Sequence, residues 1–435
     1  MSGNSTWGRE AFAWMVARAG PLPKAVVIGA VPLDEPDDRL HALRRAGCSA
    51  AEGLIVPESG GDHDAAAKAF DNTRIAFIRG GDQGRYVKGW RGTKTEAALR
   101  HVFDSGGVVA GTSAGCAVLG EVTYSAEKNS LTPEEALADP FHEDLTLVRD
   151  FLGLVPGVLF DTHFTERARF ARLPVLLARS RDLFDDRRDM LGLGMDTRTA
   201  AAVIPDGSCT ILGEGAATLM RLSEKTICDL RPGHSPTITH VRCDMLLAGT
   251  TLALPTGVVA TRPDEAKPNP HPDVVDESAF EALKLDGGRD EDAAAGILRV
   301  AREGEGDQAT WRIRTGEGRL PGCLVVPRAW GRGVWERTAA AQHALTMQPG
   351  LLGWFIGEGC TIEVDASGLA RVHAESTSSA VVIDTRGVTH TGVRQPESSR
   401  PKVHLEGATL HVLGPGWGLD LRSRAVLHPA MTQMP

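Results

Sequence analysis

The chain has 435 residues, of which 42% are hydrophobic and 24% are charged, and its formal net charge at pH 7 is −9. This length exceeds one average domain, so we expect two or three domains of ordinary globular composition. The negative charge argues against a general nucleic-acid or acidic-membrane binder, and no apolar run reaches the ~20 residues of a membrane span.

Neither the N-terminus nor the cysteines indicate export. The first ten residues lack a basic segment followed by an apolar core, so no secretory signal is expected. The seven cysteines are scattered and include no C-x-x-C pair, which favours reduced thiols over a disulfide framework or a zinc site. With no metal-ligand spacing and no nucleotide loop, we predict a cytoplasmic protein without a cofactor.

Short apolar strands alternate with amphipathic helices through the first part of the chain. Helical spacing of apolar residues predicts helices at 8–19, 37–46, 64–70 and 96–103. Short apolar runs predict strands at 24–30, 53–56, 75–79 and 107–110. This alternation predicts an α/β fold whose mostly parallel sheet is covered by helices on both faces. Ligands of such sheets bind beyond the carboxyl ends of the strands.

The stretch 107–120, GVVAGTSAGCAVLG, predicts a strand, a sharp turn at Ser113 and a helix that begins at Ala114. Gly111 lets the backbone bend behind the serine, and Gly115 lets the helix approach the strand closely. The free N–H groups of the helix start lie beside the hydroxyl and can hold an oxyanion. Because G-x-S-x-G also occurs in ordinary turns, the pattern needs partners.

Two further motifs follow predicted strands. Gly80-Gly81-Asp82-Gln83 ends the strand at 75–79, so it shares the strand-end cleft with Ser113. His163 follows an apolar stretch and precedes a predicted helix with three arginines, namely Arg167, Arg169 and Arg172. Taken singly, such a histidine and such arginines are typical of structural and solvated positions.

The rest of the chain divides into a closing β region, a linker and a second domain. Residues 121–149 are polar, and we expect them to form an irregular surface segment over the cleft. Further strands are predicted at 191–196, 200–204, 207–220 and 240–260. We assign 1–261 to an α/β domain, 262–300 to a linker rich in proline and charge, and 301–435 to a β-rich domain. Helical patterns at 277–284 and 291–302 lie within or next to the linker.

The C-terminal domain repeats part of the first domain's pattern. Residues 195–214 match 356–375, and 244–259 match 411–426, each at one constant offset. The hypothesis is that 301–435 is a degenerate partial duplicate of 150–260 that lacks a G-x-S-x-G. The alternative is an unrelated β-rich accessory domain.

The sequence contains three motifs in this order: GGDQ at 80–83, GTSAG at 111–115 and D-x-H-F-x-x-R-x-R at 161–169. Their order and spacing resemble the cyanophycinase and dipeptidase E family of serine peptidases. The resemblance covers about residues 8–260. It implies a sheet like that of class I glutamine amidotransferases and a triad in the order serine, histidine, glutamate. It further implies that Ser113 is the nucleophile, that His163 is the general base, and that the N–H groups of Gly81 and Ala114 hold the oxyanion.

The resemblance also implies a pocket that grips an aspartyl carboxylate. A guanidinium suits this ligand because it donates two parallel hydrogen bonds. The matching residues are Asp82, Gln83, Asp161, Arg167, Arg169 and Arg172. The implied substrate is a peptide with aspartyl or isoaspartyl groups, such as cyanophycin, an aspartate-backbone polymer with arginine side groups. Family members often pair, so either a homodimer or an internal pseudo-dimer is expected.

Two positions depart from the family pattern. Thr162 replaces a glutamine next to His163, and Thr197 replaces the triad glutamate of a G-x-D-E-x-T-A pattern. A hydroxyl cannot stabilise an imidazolium as a carboxylate does. Asp196 is the neighbouring candidate for the acid, although adjacent strand residues face opposite sides of a sheet.

Three functions remain open at this point. The first is a serine exopeptidase that cleaves aspartyl or isoaspartyl bonds of the β-Asp-Arg type. The second is a catalytically impaired binding or scaffolding relative, because Thr197 occupies the acid position. The third, an amidotransferase-like domain, needs a cysteine at the elbow, whereas Cys116 lies one turn into the helix and is expected to pack as a small apolar residue.

Overall fold

A computed structural model describes residues 8–32, 37–184, 190–269, 280, 282–303, 310–330, 335–374, 377–396 and 400–429. The helices of this part of the chain are α1 (Gly8–Ala19), α2 (Asp38–Ala46), α3 (Asp64–Lys68), α4 (Gln83–Trp90), α5 (Lys94–Asp104), α6 (Ala114–Ala117), α7 (Pro133–Ala138), α8 (Arg172–Leu183) and α9 (Trp335–Met347). Short 3₁₀ turns span Glu58–Gly60, Thr165–Arg167 and Asp290–Ala295. Among these helices, none is both long and apolar enough to cross a membrane.

The strands up to the linker are β1 (Lys24–Gly29), β2 (Ala50–Ile55), β3 (Thr73–Ile78), β4 (Val108–Gly111), β5 (Gly120–Tyr124), β6 (Leu147–Val148), β7 (Val155–Thr162), β8 (Leu191–Met195), β9 (Thr199–Val203), β10 (Ser208–Gly213), β11 (Ala216–Arg221), β12 (Cys228–Asp229), β13 (Thr237–Leu247), β14 (Thr251–Ala253) and β15 (Val258–Thr261). The later strands are β16 (Lys267–Pro268), β17 (Leu283–Asp286), β18 (Gly296–Glu303), β19 (Thr310–Thr315), β20 (Leu320–Pro327), β21 (Leu352–Ile356), β22 (Cys360–Val364), β23 (Leu369–Ala374), β24 (Ala380–Asp384), β25 (His390–Arg394), β26 (Lys402–Leu413), β27 (Gly418–Asp420) and β28 (Val426–Leu427).

The N-terminal layer is a four-stranded parallel sheet in the order β2-β1-β3-β4. Alternate residues of β1 enter two different cores, because successive side chains of a strand point to opposite faces. Val26 and Ile28 pack with α4 and α5, whereas Ala25 and Val27 pack with α1 and α2. The predicted α/β fold with helices on both faces of a parallel sheet is therefore confirmed.

The second sheet is mixed, and its strand order repeats on either side of a central antiparallel pair, β13 and β26. Outward from β13 the order is β13-β11-β8-β7-β5-β6, and outward from β26 it is β26-β24-β21-β20-β18-β19. Parallel and antiparallel pairings follow in the same sequence along both runs. Helix α8 follows β7, and α9 follows β20 at the corresponding place.

The hydrogen bonds at the centre of this sheet repeat in the same way. The Gly414 N–H donates to Thr237 Oγ1 at 3.0 Å, and the Leu247 N–H donates to His404 Nδ1 at 3.4 Å. One sequence offset relates Thr237 to His404 and Leu247 to Gly414. The two bonds are therefore equivalent under exchange of the two runs.

One apolar core joins the two runs. It contains residues of α8 and α9 and of strands from both sides, among them Leu159, Leu173, Val241, Leu324, Ala344 and Leu410. Two antiparallel sheets flank the structure, in the orders β15-β14-β10-β9 and β17-β22-β23-β27-β28.

Three expectations for local structure are wrong. A helix is predicted at 277–284, but its last two residues begin strand β17. Residues 277–279 and 281 of the predicted helix lie outside the described residues. The predicted helix 291–302 is a 3₁₀ turn followed by β18, whose residues pair with β19 and β20. This long-range pairing overrides the helix propensity of the short alanine run. Segment 121–149, expected to be irregular, contains most of β5, all of α7 and β6.

Candidate active site

Ser113 lies on a sharp turn between β4 and the short helix α6, with φ of 52° and ψ of −116°. A non-glycine residue in so sparsely populated a conformation costs about 1–3 kcal/mol. The flanking glycines permit this turn. A Cβ added at Gly111 would lie 2.1 Å from the Gly115 carbonyl oxygen, and one added at Gly115 would lie 2.2 Å from the Ile78 oxygen. Strand and helix are thus in backbone contact, and the hydroxyl stands at the end of the strand.

His163 follows the last residue of β7, also with a left-handed backbone, φ 49°. Its Nε2 lies 2.9 Å from Ser113 Oγ, although the two residues are 50 positions apart in the chain. The ends of two strands from different sheets therefore meet at a serine–histidine pair. With the ring proton on Nδ1, Nε2 accepts a hydrogen bond from the hydroxyl.

The surroundings keep the His163 ring neutral. Burial, followed by the positive charges of Arg167 and Arg169, lowers the pKa of His163 to about 4, and the opposing charge of Asp161 is a smaller effect. The neutral imidazole is the form that can take a proton from a hydroxyl. At neutral pH the ring is therefore in its basic form.

The Gly80-Gly81 turn packs against the serine. A Cβ added at Gly80 would lie 3.3 Å from Ser113 Cβ, so the backbone approaches the Ser113 turn closely. Gly81 has a φ of 144°, a conformation that side chains rarely adopt. The turn therefore brings its backbone beside the hydroxyl.

Asp82 and Gln83 have structural contacts at the start of α4. The Asp82 carboxylate caps this helix, because its Oδ1 accepts a hydrogen bond from the Gly84 N–H at 2.8 Å. Gln83 Nε2 lies 3.5 Å from the Tyr124 carbonyl oxygen, and its side chain is partly exposed. The Asp82 side chain is exposed, whereas that of Gln83 is partly buried.

Asp161, Arg169 and Arg172 bind one another beneath the His163 turn. Asp161 Oδ1 lies 2.5 Å from Arg172 Nη2 and 3.2 Å from Arg169 Nη1. Burial alone would raise the pKa of Asp161, but the charges of Arg172 and Arg169 hold it below its ordinary value. The exposed fractions of the three residues are 3%, 7% and 1%, which leaves almost no surface for a ligand. The resemblance implies substrate contacts here, whereas the structure has a buried ion-pair cluster.

Arg167 is the exposed arginine of the group. It ends the 3₁₀ turn Thr165–Arg167, and the helix expected directly after His163 begins only at Arg172. Within the described residues its guanidinium makes no hydrogen bond or ion pair, yet its charge lowers the pKa of His163. The positive charge of Arg167 therefore lies near the serine–histidine pair, and no described residue accepts a hydrogen bond from its guanidinium.

Thr197, which stands where the resemblance implies a triad glutamate, bonds to Glu166 instead of to the histidine. Its hydroxyl donates to Glu166 Oε1 at 2.6 Å, and its backbone N–H donates to the same oxygen at 3.1 Å. In the described part of the chain, the hydrogen bond of the His163 ring is the one to Ser113.

Asp196, the neighbouring candidate for the acid, contacts the Thr165 backbone and Lys402. Its Oδ1 accepts a hydrogen bond from the Thr165 N–H at 3.0 Å, and its Oδ2 lies 2.9 Å from Lys402 Nζ. The carboxylate thus contacts the turn that carries His163 through the backbone.

Sequence reasoning misses two members of this region, Glu166 and Lys402. Glu166 lies three residues after His163 inside the quoted motif, so a carboxylate so near the base could have been singled out. Lys402 lies 206 residues from Asp196, and no local pattern connects the two.

Potential metal ligands come together once within the described residues, at Glu135, His142 and Asp144. Each is already hydrogen-bonded within the protein. Glu135 accepts from the Thr132 N–H at 2.7 Å, His142 Nδ1 accepts from the Asp144 N–H at 3.2 Å, and Asp144 accepts from Asn129 at 3.4 Å. We assign no metal to them.

Comparison with known proteins gives a family for the segment that carries the serine–histidine pair. Residues 38–187 match the model of peptidase family S51. The cyanophycinase of Synechococcus elongatus is 32% identical over 225 residues, which is 49% of this chain and 63% of the relative. That of Nostoc sp. (strain PCC 7120 / SAG 25.82 / UTEX 2576) is 29% identical over 225 residues, covering 50% of this chain and 70% of the relative.

The chain thus spans less than two thirds of the length of the Synechococcus relative. A solved structure of a peptidase from an acI-B1 Actinobacterium aligns with 58% of this chain and 95% of its own, at 16% identity and a TM-score of 0.40. The segment that contains Ser113 and His163 thus matches peptidase family S51, and these relatives are cyanophycinases.

Proposed function

We propose that this protein is a serine exopeptidase that hydrolyses aspartyl or isoaspartyl peptide bonds of the β-Asp-Arg type. The observation that carries the proposal is the 2.9 Å contact between Ser113 Oγ and His163 Nε2, with the serine on a strained strand-to-helix turn. A nucleophile within hydrogen-bond reach of a neutral base is the geometry that nucleophilic catalysis requires.

The proposed reaction has two halves. Ser113 Oγ attacks the scissile carbonyl carbon while its proton passes to His163 Nε2, and the resulting imidazolium returns that proton to the leaving amine as the C–N bond breaks. Water then attacks the acyl-serine ester while His163 takes its proton, and His163 returns that proton to Ser113 Oγ as the ester bond breaks and the acid leaves. The proposed oxyanion donors are the N–H of Ala114, at the start of α6, and that of Gly81.

The proposed substrate specificity depends on Arg167 and Gln83. Arg167 is exposed and carries a charge that reaches His163, so a substrate carboxylate beside the pair would find a fork of donors. Gln83 adds a neutral amide. The names of the relatives make cyanophycin, or a fragment of it, the first substrate to test.

The experiment compares wild-type protein with Ser113→Ala on cyanophycin and on β-aspartyl dipeptides. Release of free amino groups by wild type, with a loss of at least about 10³-fold in Ser113→Ala, supports the proposal. Equal hydrolysis by both proteins, or none by the wild type on any of these substrates, rejects it.

A catalytically impaired binding protein is the second candidate, and Thr197 is the observation that favours it. The His163 ring has a hydrogen bond to Ser113 in the described structure, while the hydroxyl at the acid position bonds to Glu166. Cyanophycin fragments that bind without being cleaved, measured by calorimetry together with a cleavage assay, would select this candidate.

The C-terminal half is proposed to be a partial duplicate that takes the place of a second subunit. The Gly407 N–H donates to Asp244 Oδ1 at 2.6 Å, and the His240 N–H donates to His411 Nδ1 at 3.3 Å, across equivalent positions of β13 and β26. Gly407 and His240 share a left-handed backbone, with φ of 96° and 56°. We propose an internal pseudo-dimer that acts in the cytoplasm, where its seven free thiols stay reduced.

A further inference from the structure

We infer that Lys402 is a positioning residue for the turn that carries His163, so that the C-terminal half completes an active site otherwise built from the first domain. The inference rests on the proposed function and adds a residue outside the 38–187 segment that matches the family.

Lys402 begins β26 and reaches across to the first domain. Its Nζ lies 2.9 Å from Asp196 Oδ2 and 3.6 Å from Glu166 Oε1. The exposed fraction of its side chain is 14%, and that of the Asp196 side chain is 4%. A cation from one half is therefore buried against two carboxylates of the other half.

Each carboxylate joins the His163 turn to the turn between β8 and β9. Asp196 Oδ1 accepts a hydrogen bond from the N–H of Thr165, two residues after the histidine, at 3.0 Å. Glu166 lies on the same turn and accepts from the Thr197 N–H at 3.1 Å. Hydrogen bonds of two carboxylates thus join the His163 turn to the turn between β8 and β9, and Lys402 contacts both carboxylates.

The charge of Lys402 offsets the repulsion between the two carboxylates. Burial and the charge of Asp196 raise the pKa of Glu166, and Lys402 opposes that rise. Burial would lower the pKa of Lys402, but Asp196 and Glu166 together raise it above its ordinary value. Removing one partner from a buried ion pair leaves the other charge uncompensated. Without Lys402, the carboxylates separate or one takes a proton, and the bonds to the turn change.

The His163 turn depends on such support because its backbone is strained. A residue with φ of 49° keeps that conformation only where its surroundings fix it. A displacement of about 1 Å at a catalytic group can cost about 100-fold in rate. We therefore expect loss of Lys402 to lower kcat, or the reactivity of Ser113, by about 10- to 100-fold, with little change in KM.

The test compares Lys402→Met with Lys402→Arg, which keeps the charge, and with Lys284→Met as a matched control. Lys284 lies on β17 at an exposed position, and its Nζ lies 3.2 Å from Glu363 Oε1. The primary readout is the titration of the His163 ring by NMR, assigned with His163→Gln. We expect the pKa of His163 to rise from about 4 toward 6.5 in Lys402→Met, because the relaxed turn exposes the ring. It should stay near the wild-type value in Lys402→Arg and in Lys284→Met.

The second readout is the rate at which a fluorophosphonate labels Ser113, which should fall in Lys402→Met and recover in Lys402→Arg. A wild-type His163 titration in Lys402→Met overturns the inference, whatever the activity. Failure of the proposed function is a separate result, namely wild-type protein that does not label at Ser113. Where Lys402→Met does not fold, the double variant Lys402→Met/Asp196→Asn removes the opposite charges together and is judged by the same two readouts.

Discussion

His163 is kept neutral by burial and by neighbouring arginines, and its described hydrogen bond is to the serine. A conventional triad acid stabilises the imidazolium and thereby raises the basicity of the ring. Here Thr197 stands where the resemblance implies that acid, and it bonds to Glu166. At the scale of single residues, the base is therefore available over a wide pH range but is weakly supported when it becomes charged.

Arg167 offers a test of this electrostatic description. Arg167→Ala removes a positive charge that lowers the pKa of His163, so that pKa should rise from about 4 toward 6.5. Because the neutral ring is the active form, activity is present above the pKa and lost as pH falls through it. The acid limb of kcat/KM, or of Ser113 labelling, should move to higher pH.

Arg91→Ala is the control, since Arg91 is exposed and lies 3.3 Å from Asp150. An acid limb that stays in place in Arg167→Ala, or moves equally in both variants, contradicts the assignment.

The missing acid is tested by moving a carboxylate. The double variant Thr197→Glu/Glu166→Gln keeps the charge of the cluster but restores glutamate at the family position. Since a wrongly supported histidine can cost about 10⁴ in rate, we expect faster labelling of Ser113 than in wild type or in Glu166→Gln alone. A rate no higher than that of Glu166→Gln would mean that the acid position does not limit reactivity.

At the scale of elements, the sequence predicts most of the first half because its signals are local. The helix expected at 8–19 matches α1, and the glycines around Ser113 predict the strand-to-helix turn. The predictions that fail concern features that depend on contacts between residues far apart in the sequence. Nothing in the alanine run before Gly296 indicates that the next residues pair with β20, and nothing near Asp196 indicates Lys402. Both features depend on partners outside the local sequence, because Leu298 pairs with Leu324 and Lys402 lies 206 residues from Asp196.

The close contact of strand and helix at Ser113 predicts that Gly115→Ala destabilises the protein. The new Cβ would meet the Ile78 backbone oxygen at 2.2 Å, and backbone cannot move aside as a flexible side chain can. We expect the free energy of unfolding to fall by about 1–3 kcal/mol, measured by urea denaturation.

Gly53→Ala is the matched control. Its Cβ would find its nearest atom, Leu40 Cδ1, at 3.8 Å, so the change should stay within about 0.5 kcal/mol. Equal stability of the two alanine variants would contradict the described packing.

At the scale of the whole molecule, the two runs of the mixed sheet meet as two subunits of a symmetric dimer would. Their equivalent strands pair antiparallel at the centre, and one apolar core spans α8 and α9. The edge of β13 is therefore already covered by β26 of the same chain. Closed two-fold symmetry leaves no equivalent surface for a second copy at this place.

We accordingly expect a monomer in solution. Light scattering after size-exclusion chromatography should give a mass near 46.3 kDa at micromolar concentrations. A stable dimer would contradict the proposal that the C-terminal half replaces a second subunit.

Covalent labelling tests, without knowledge of the substrate, whether Ser113 is a nucleophile activated by His163. Wild-type protein and His163→Gln are incubated with a fluorophosphonate at neutral pH, and the modified residue is located by mass spectrometry. We predict one label per chain, on Ser113, and a labelling rate at least about 10³-fold lower in His163→Gln. A wild-type protein that takes no label at Ser113, or a His163→Gln variant that labels equally fast, would contradict it.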